Sequence, residues 1–172
     1  LGKARKKAKQ TVCMSQLKQI HVAMTMYELD SDMFLPEVRG NTPNAHSRPW
    51  YWTLATYLGI DREETGPKRE VEVSIDNNIF KCPSNESLND PVYGTSINIT
   101  GYAMPQWAGW GGQSPLYAPI QVTSVSEPSH AMLLGETDLK YFLNGGDCQL
   151  LDSLYHDGLN NRLFIDGHVG QG

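Results

Sequence analysis

Side chains able to do chemistry fall in three places along the chain. The densest group is near its end, where His156, Asp157, Asp166 and His168 supply two imidazoles and two carboxylates. Such groups can ligate a cation or move a proton. If Arg162–Ile165 is a strand between two turns, its ends lie roughly 13 Å or more apart, so His156 and His168 meet only if the chain folds back. Asp157-Gly158 and Asp166-Gly167 read more simply as turns, with Asp closing the turn by hydrogen bonds and Gly taking positive φ. On that reading His156 caps a turn or reaches the Asp166 carboxylate. A metal-dependent hydrolase would instead need His156, Asp166 and His168 within ~4–5 Å of a common point. The second place is the set of 3 cysteines, Cys13, Cys82 and Cys148. Cys82 precedes Pro83 at the end of an apolar run, which suits a buried or paired thiol better than a nucleophile. No Gly-x-Ser-x-Gly, HExxH, CxxC or glycine-rich phosphate loop accompanies these residues. The third place is aromatic. A secreted carbohydrate-binding module would set Trp52, Trp107 and Trp110 on one exposed face. Trp50 reads as core, whereas Trp107 and Trp110, in a glycine-containing loop, are the best candidates for a partner-contact patch.

Several elements must position these groups. From Lys3 to Asp30 the chain has neither Pro nor Gly and is rich in Ala, Lys, Gln, Met and Leu, which favours a helix. Cys13, Leu17, Ile20, Met24 and Tyr27 recur at alternating spacings of four and three, marking one helix face. Asp30-Ser31-Asp32 and then Pro36 end it. A helix of this length would reach ~40 Å, so its first turns should project beyond the globular body. The segment 49–59 reads as a short helix with Pro49 at its start and Gly59 at its end, burying Trp50, Leu54, Tyr57 and Leu58. Residues 61–78 read as a charged surface excursion with a short extended piece around Val71, Val73 and Ile75. Short strands follow, at Ile79–Cys82, Thr95–Tyr102, Ala131–Gly135 and Arg162–Ile165, separated by turns. One long helix followed by short strands predicts an α+β fold with antiparallel pairing.

Composition narrows the function. The 172 residues carry 14 basic and 19 acidic side chains, a net charge of −5, which argues against nucleic acid as a partner. That total hides a split: Lys3, Arg5, Lys6, Lys7, Lys9 and Lys18 sit in the first 18 residues without an acid, leaving 8 cations against 19 acids, or −11, in the remainder. A basic segment fused to an acidic body suggests two jobs. No apolar run approaches the ~18 residues of a membrane span.

Two stretches carry a resemblance. Ala4-Arg5-Lys6-Lys7-Ala8-Lys9, continuing through Cys13-Met14-Ser15-Gln16-Leu17-Lys18-Gln19-Ile20 to Tyr27 and Phe34-Leu35-Pro36, resembles the segment that follows the membrane-spanning half of the N-terminal helix in bacterial prepilin-like proteins. His156, nine residues and Asp166-Gly167 are similar to the prepilin-type processing-associated His-x9-Asp-Gly motif. Trp50–Leu58, Phe80-Lys81-Cys82-Pro83-Ser84 and the stretch from Pro128-Ser129 through Leu133 fall between them in the family's order. The resemblance implies a type IV pilin-like fold: residues 1–32 as the C-terminal half of the stem helix and 33–172 as a periplasmic head with a small antiparallel sheet and long loops.

Its implied function is structural, as a pseudopilin of a type II secretion-like assembly, with no catalytic residues. Cys13, Leu17, Ile20, Met24 and Tyr27 would form the assembly helix. Lys3, Arg5, Lys6, Lys7 and Lys9 would lie beside the membrane, where basic side chains meet anionic headgroups. The partners would be other pseudopilin subunits and the inner membrane, and an apolar half-helix would precede Leu1. An oxidising periplasm would permit a Cys13–Cys82 disulfide, although spacing alone does not establish connectivity. Some major pseudopilins hold calcium in a C-terminal loop. Asp138, Asp147 and Asp152, flanking Gly145-Gly146, offer hard oxygen ligands for it, but without EF-hand spacing an ordinary polar loop is the simpler reading. No other cofactor is expected.

Overall fold

The computed structural model describes residues 2–36, 50–60, 64–65, 70–71, 79–84, 102–105, 120–136, 142–143, 156 and 159–172. The first helix, α1, runs over Gly2–Asp30. Cys13, Leu17, Ile20, Ala23 and Met24 face inward and are almost wholly buried, whereas residues 2–8 are exposed. Tyr27 is only half-buried, and its ring meets Tyr57 edge-on at 6.1 Å. The end of α1 is closed by Ser31 and Met33 N–H groups donating to the Glu28 carbonyl, with Asp32 and Met33 at φ 51° and 64°. Left-handed backbone costs an L residue roughly 1–2 kcal/mol. Here it is held by the neighbouring chain: Leu35 N–H donates to Ile120 O, Val122 N–H donates to Met33 O, and Phe34 bridges Gln121.

Helix α2, Trp50–Ala55, continues into a 3-10 turn over Thr56–Leu58. Gly59 ends it at φ 66°, and the Ile60 N–H reaches back to Ala55 O at 2.9 Å, an ending that a glycine accommodates without steric cost. Tyr51 and Trp52 are buried as well as Trp50 and Leu54, while Tyr57 and Leu58 stay half-exposed. Glu64–Thr65 (β1) and Glu70–Val71 (β2) form a small antiparallel pair.

The main sheet contains Tyr102–Pro105 (β3), Met132–Glu136 (β4), Phe142–Leu143 (β5), Asn161–Phe164 (β6) and Val169–Gln171 (β7). Its order is β5-β3-β4-β6-β7. Pairing is antiparallel throughout except that the edge strand β5 lies parallel to β3. In β4, Leu133 is an extra residue in the ladder between Met132, opposite Phe164, and Leu134, opposite Leu163. That bulge lets two consecutive leucines be buried. Helix α1 packs across β6 and β7, and the core between them also takes in Trp50, Phe80, Tyr102 and Met104.

Two expectations need correcting. Ile79–Cys82 is a run of turns rather than a strand, because Pro83 follows and the buried Phe80 and Cys82 plug the core from a turn. Of the expected Thr95–Tyr102 strand, Tyr102 lies in β3, and residues 95–101 lie outside the described residues, as do Val73 and Ile75. The antiparallel expectation fails for the β3–β5 pair.

Candidate functional site

Two contacts between the sheet and α1 gather the side chains that the sequence singled out. The first is a buried polar cluster. Cys13, the first fully buried residue of α1, forms a disulfide with Cys82 from the 79–84 turn, their Cα atoms 5.2 Å apart. His156 lies over this bond, its Nε2 3.6 Å from Cys82 Sγ. The same nitrogen donates to Glu136 Oε1 at 3.0 Å, and Ser84 Oγ is 3.4 Å from Nδ1. Glu136, at the end of β4, is fully buried. Its carboxylate accepts from the Asn161 backbone N–H at 2.7 Å (Oε2) and from Asn161 Nδ2 at 3.0 Å (Oε1). A buried carboxylate is tolerated only when its oxygens are satisfied in this way. Nearby, the Tyr102 hydroxyl donates to Gln16 Oε1 at 2.9 Å, and burial pushes its pKa well above the ordinary phenol value.

The second contact is the β6–β7 turn. Gly167 sits at φ 85°, and a Cβ there would lie 2.7 Å from His21 Cε1. His21 of α1 donates from Nε2 to the Ile165 carbonyl at 3.1 Å. Asp166 accepts from the His168 backbone N–H and from His168 Nδ1 at 2.6 Å; these bonds, the side-chain one foremost, hold its carboxyl below the usual range. The His168 ring stacks on Phe164 with centroids 4.2 Å apart.

The structure therefore sets apart His156, Asp166 and His168, which a metal-dependent hydrolase would need at a common point. His156 does not reach Asp166; it pairs with Glu136 in the core, while Asp166 and His168 pair with each other on an exposed turn. Sequence reasoning misses Glu136, Asn161 and His21. Glu136 directly follows a run expected to be a buried strand, and a charge there usually marks the strand's exit into solvent. Trp52 is buried, which removes it from any exposed stacking face. Trp107, Trp110, Cys148, Asp138, Asp147, Asp152 and Asp157 lie outside the described residues. Cys13, Leu17, Ile20 and Met24 are occupied by the chain's own core, and a different face of α1 is turned away from it. On that face Val22, Met26 and Leu29 are exposed, at spacings of four and three.

The fold defines an α+β protein whose long N-terminal helix is joined by a disulfide to the 79–84 turn and docks on a small sheet at a glycine turn. Residues 2–139 match the family described as protein of unknown function (DUF1559), and the chain belongs to it. The match stops short of His156 and Asp166-Gly167. Comparisons with curated proteins and with solved structures gave no match. Among the described residues, no helix is long and apolar enough to cross a membrane.

Proposed function

We propose that the chain is the periplasmic part of a pseudopilin-like subunit, with a structural rather than enzymatic role. The observation that carries this reading is the division of α1. From Cys13 onward its inner face is built into the head, while residues 2–8, with Lys3, Arg5, Lys6 and Lys7, extend exposed beyond it. A helix anchored in the inner membrane would enter the head through such a basic stretch. Subunits would then pack side by side through the exposed stripe of Val22, Met26 and Leu29, since the opposite face is already covered. His156 packs beside the disulfide that ends on α1, and Asp166-Gly167 docks on His21 of α1, which supports a part that keeps the stem in one orientation in a filament.

Two measurements test this. The gene should encode ~20 apolar residues directly upstream of Leu1; a start codon or a cleavable, non-helical signal there overturns the reading. In cells making the full-length protein, a cysteine placed at Leu29 should crosslink neighbouring copies. Adding Val22→Asp should abolish those crosslinks while the isolated chain keeps its circular dichroism spectrum and melting temperature. Absence of crosslinks from Leu29→Cys and from Val22→Cys alike rejects the packing face.

A further inference from the structure

The Cys13–Cys82 bond is surrounded by more ligating chemistry than a structural disulfide needs. Cys13 Sγ, Cys82 Sγ, a His156 ring nitrogen and a Glu136 carboxylate oxygen all lie within 4.8 Å of one another, and all four residues are buried. Two sulfurs, one nitrogen and one oxygen make a borderline-soft donor set suited to tetrahedral Zn²⁺. With metal–sulfur distances of ~2.3 Å and metal–nitrogen or metal–oxygen distances of ~2.0–2.1 Å, the edges of such a tetrahedron run from about 3.3 to 3.8 Å. The His156–Cys82 edge already measures 3.6 Å and the His156–Glu136 edge 3.0 Å. The sulfur–sulfur edge is the covalent bond, and it can open to about 3.8 Å once reduced.

The surrounding hydrogen bonds fit the same use. For Nε2 to bind a cation its proton must move to Nδ1, where Ser84 Oγ at 3.4 Å can accept it. Asn161 fixes the Glu136 carboxylate through two N–H donors. Partners of this kind orient metal ligands and tune their basicity. The four ligands come from α1, the 79–84 turn, β4 and the segment before β6, so a cation would add the sheet to a junction where the disulfide now joins helix to turn.

We propose that Cys13, Cys82, His156 and Glu136 form a redox-gated site for a divalent cation of the Zn²⁺ class, closed while the disulfide is intact and open when it is reduced. A dithiol or phosphine supplies two electrons, and with two protons the S–S bond becomes two thiols. The dithiol is oxidised to its own disulfide, or the phosphine to its oxide with oxygen from water. Cation binding then releases both thiol protons to solvent. The site stands apart from the filament reading, and neither depends on the other.

The test uses the whole chain, reduced with a trialkylphosphine, freed of reagent without air and titrated with Co²⁺. One Co²⁺ per chain is expected, with thiolate-to-cobalt charge-transfer absorption and tetrahedral d–d bands that Zn²⁺ bleaches. The oxidised chain should show neither. Ser84→Ala should weaken binding by ~10-fold, and Cys148→Ala should leave the spectrum unchanged. If reduction unfolds the metal-free chain, metal-driven refolding with the same bands supports the site. Absence of bands in the reduced chain, their presence in the oxidised chain, or their loss in Cys148→Ala overturns it.

Discussion

Glu28 is the residue that should make stability depend on pH. It is buried on α1, and desolvation pushes its pKa from the ordinary 4.5 up to about 7. The folded chain thus holds a proton that the unfolded chain has lost between those two values, so stability falls as pH rises from 4.5 to about 7 and levels off above. Each tenfold change in proton affinity is worth ~1.4 kcal/mol, which sets a ceiling of about 3 kcal/mol on the effect. Glu28→Gln should raise the denaturation midpoint near neutral and alkaline pH and leave it unchanged at about pH 4; urea titrations at both ends check this. His156→Ala should cost ~3–5 kcal/mol, because it leaves Glu136 buried without its imidazole, and thermal unfolding reads it directly. The helix face is legible at this scale because a four-three spacing reports burial locally. Glu136 is not legible, since its partners Asn161 and His156 are 25 and 20 residues away and meet it only once β4 and β6 pair.

At the scale of elements, the His-x9-Asp-Gly spacing separates two contacts, His156 beside Cys82 of the disulfide and Asp166-Gly167 against His21 of α1. Asp166-Gly167 is readable as a turn, but its docking on His21 is not, because nothing in a helix's polar face announces a glycine across from it. Gly167→Ala should destabilise by ~1–2 kcal/mol from backbone strain alone, with more from the clash. Adding His21→Ala should recover the clash and not the strain, which a double-mutant cycle separates. The disulfide closes a separation of 69 residues, so chain-entropy arguments give about 4 kcal/mol for its loss. Cys13→Ser with Cys82→Ser should lower the unfolding free energy by about that amount under non-reducing conditions. The 79–84 turn passes for a strand in the sequence because an apolar run looks alike in both; burial of alternate side chains, Phe80 and Cys82, needs no ladder when a turn plugs a core.

For the whole molecule, the α+β order and the long helix follow from composition and periodicity, whereas the parallel β3–β5 edge depends on chain paths that periodicity does not encode. Charge is the most informative global feature. The basic residues cluster on the part of α1 that the head leaves exposed, so the split in charge follows a split in burial. The position of Cys13 has a mechanical consequence. It is the first fully buried residue on α1, so a force pulling the exposed turns away from the head would peel only the helix ahead of it before meeting a covalent bond to residue 82. Load arriving along the stem would pass into the core at that one point, and the hydrogen bonds behind it would be spared. Under single-molecule extension the oxidised chain should give way in a short first step and then resist; after reduction the whole helix should unzip.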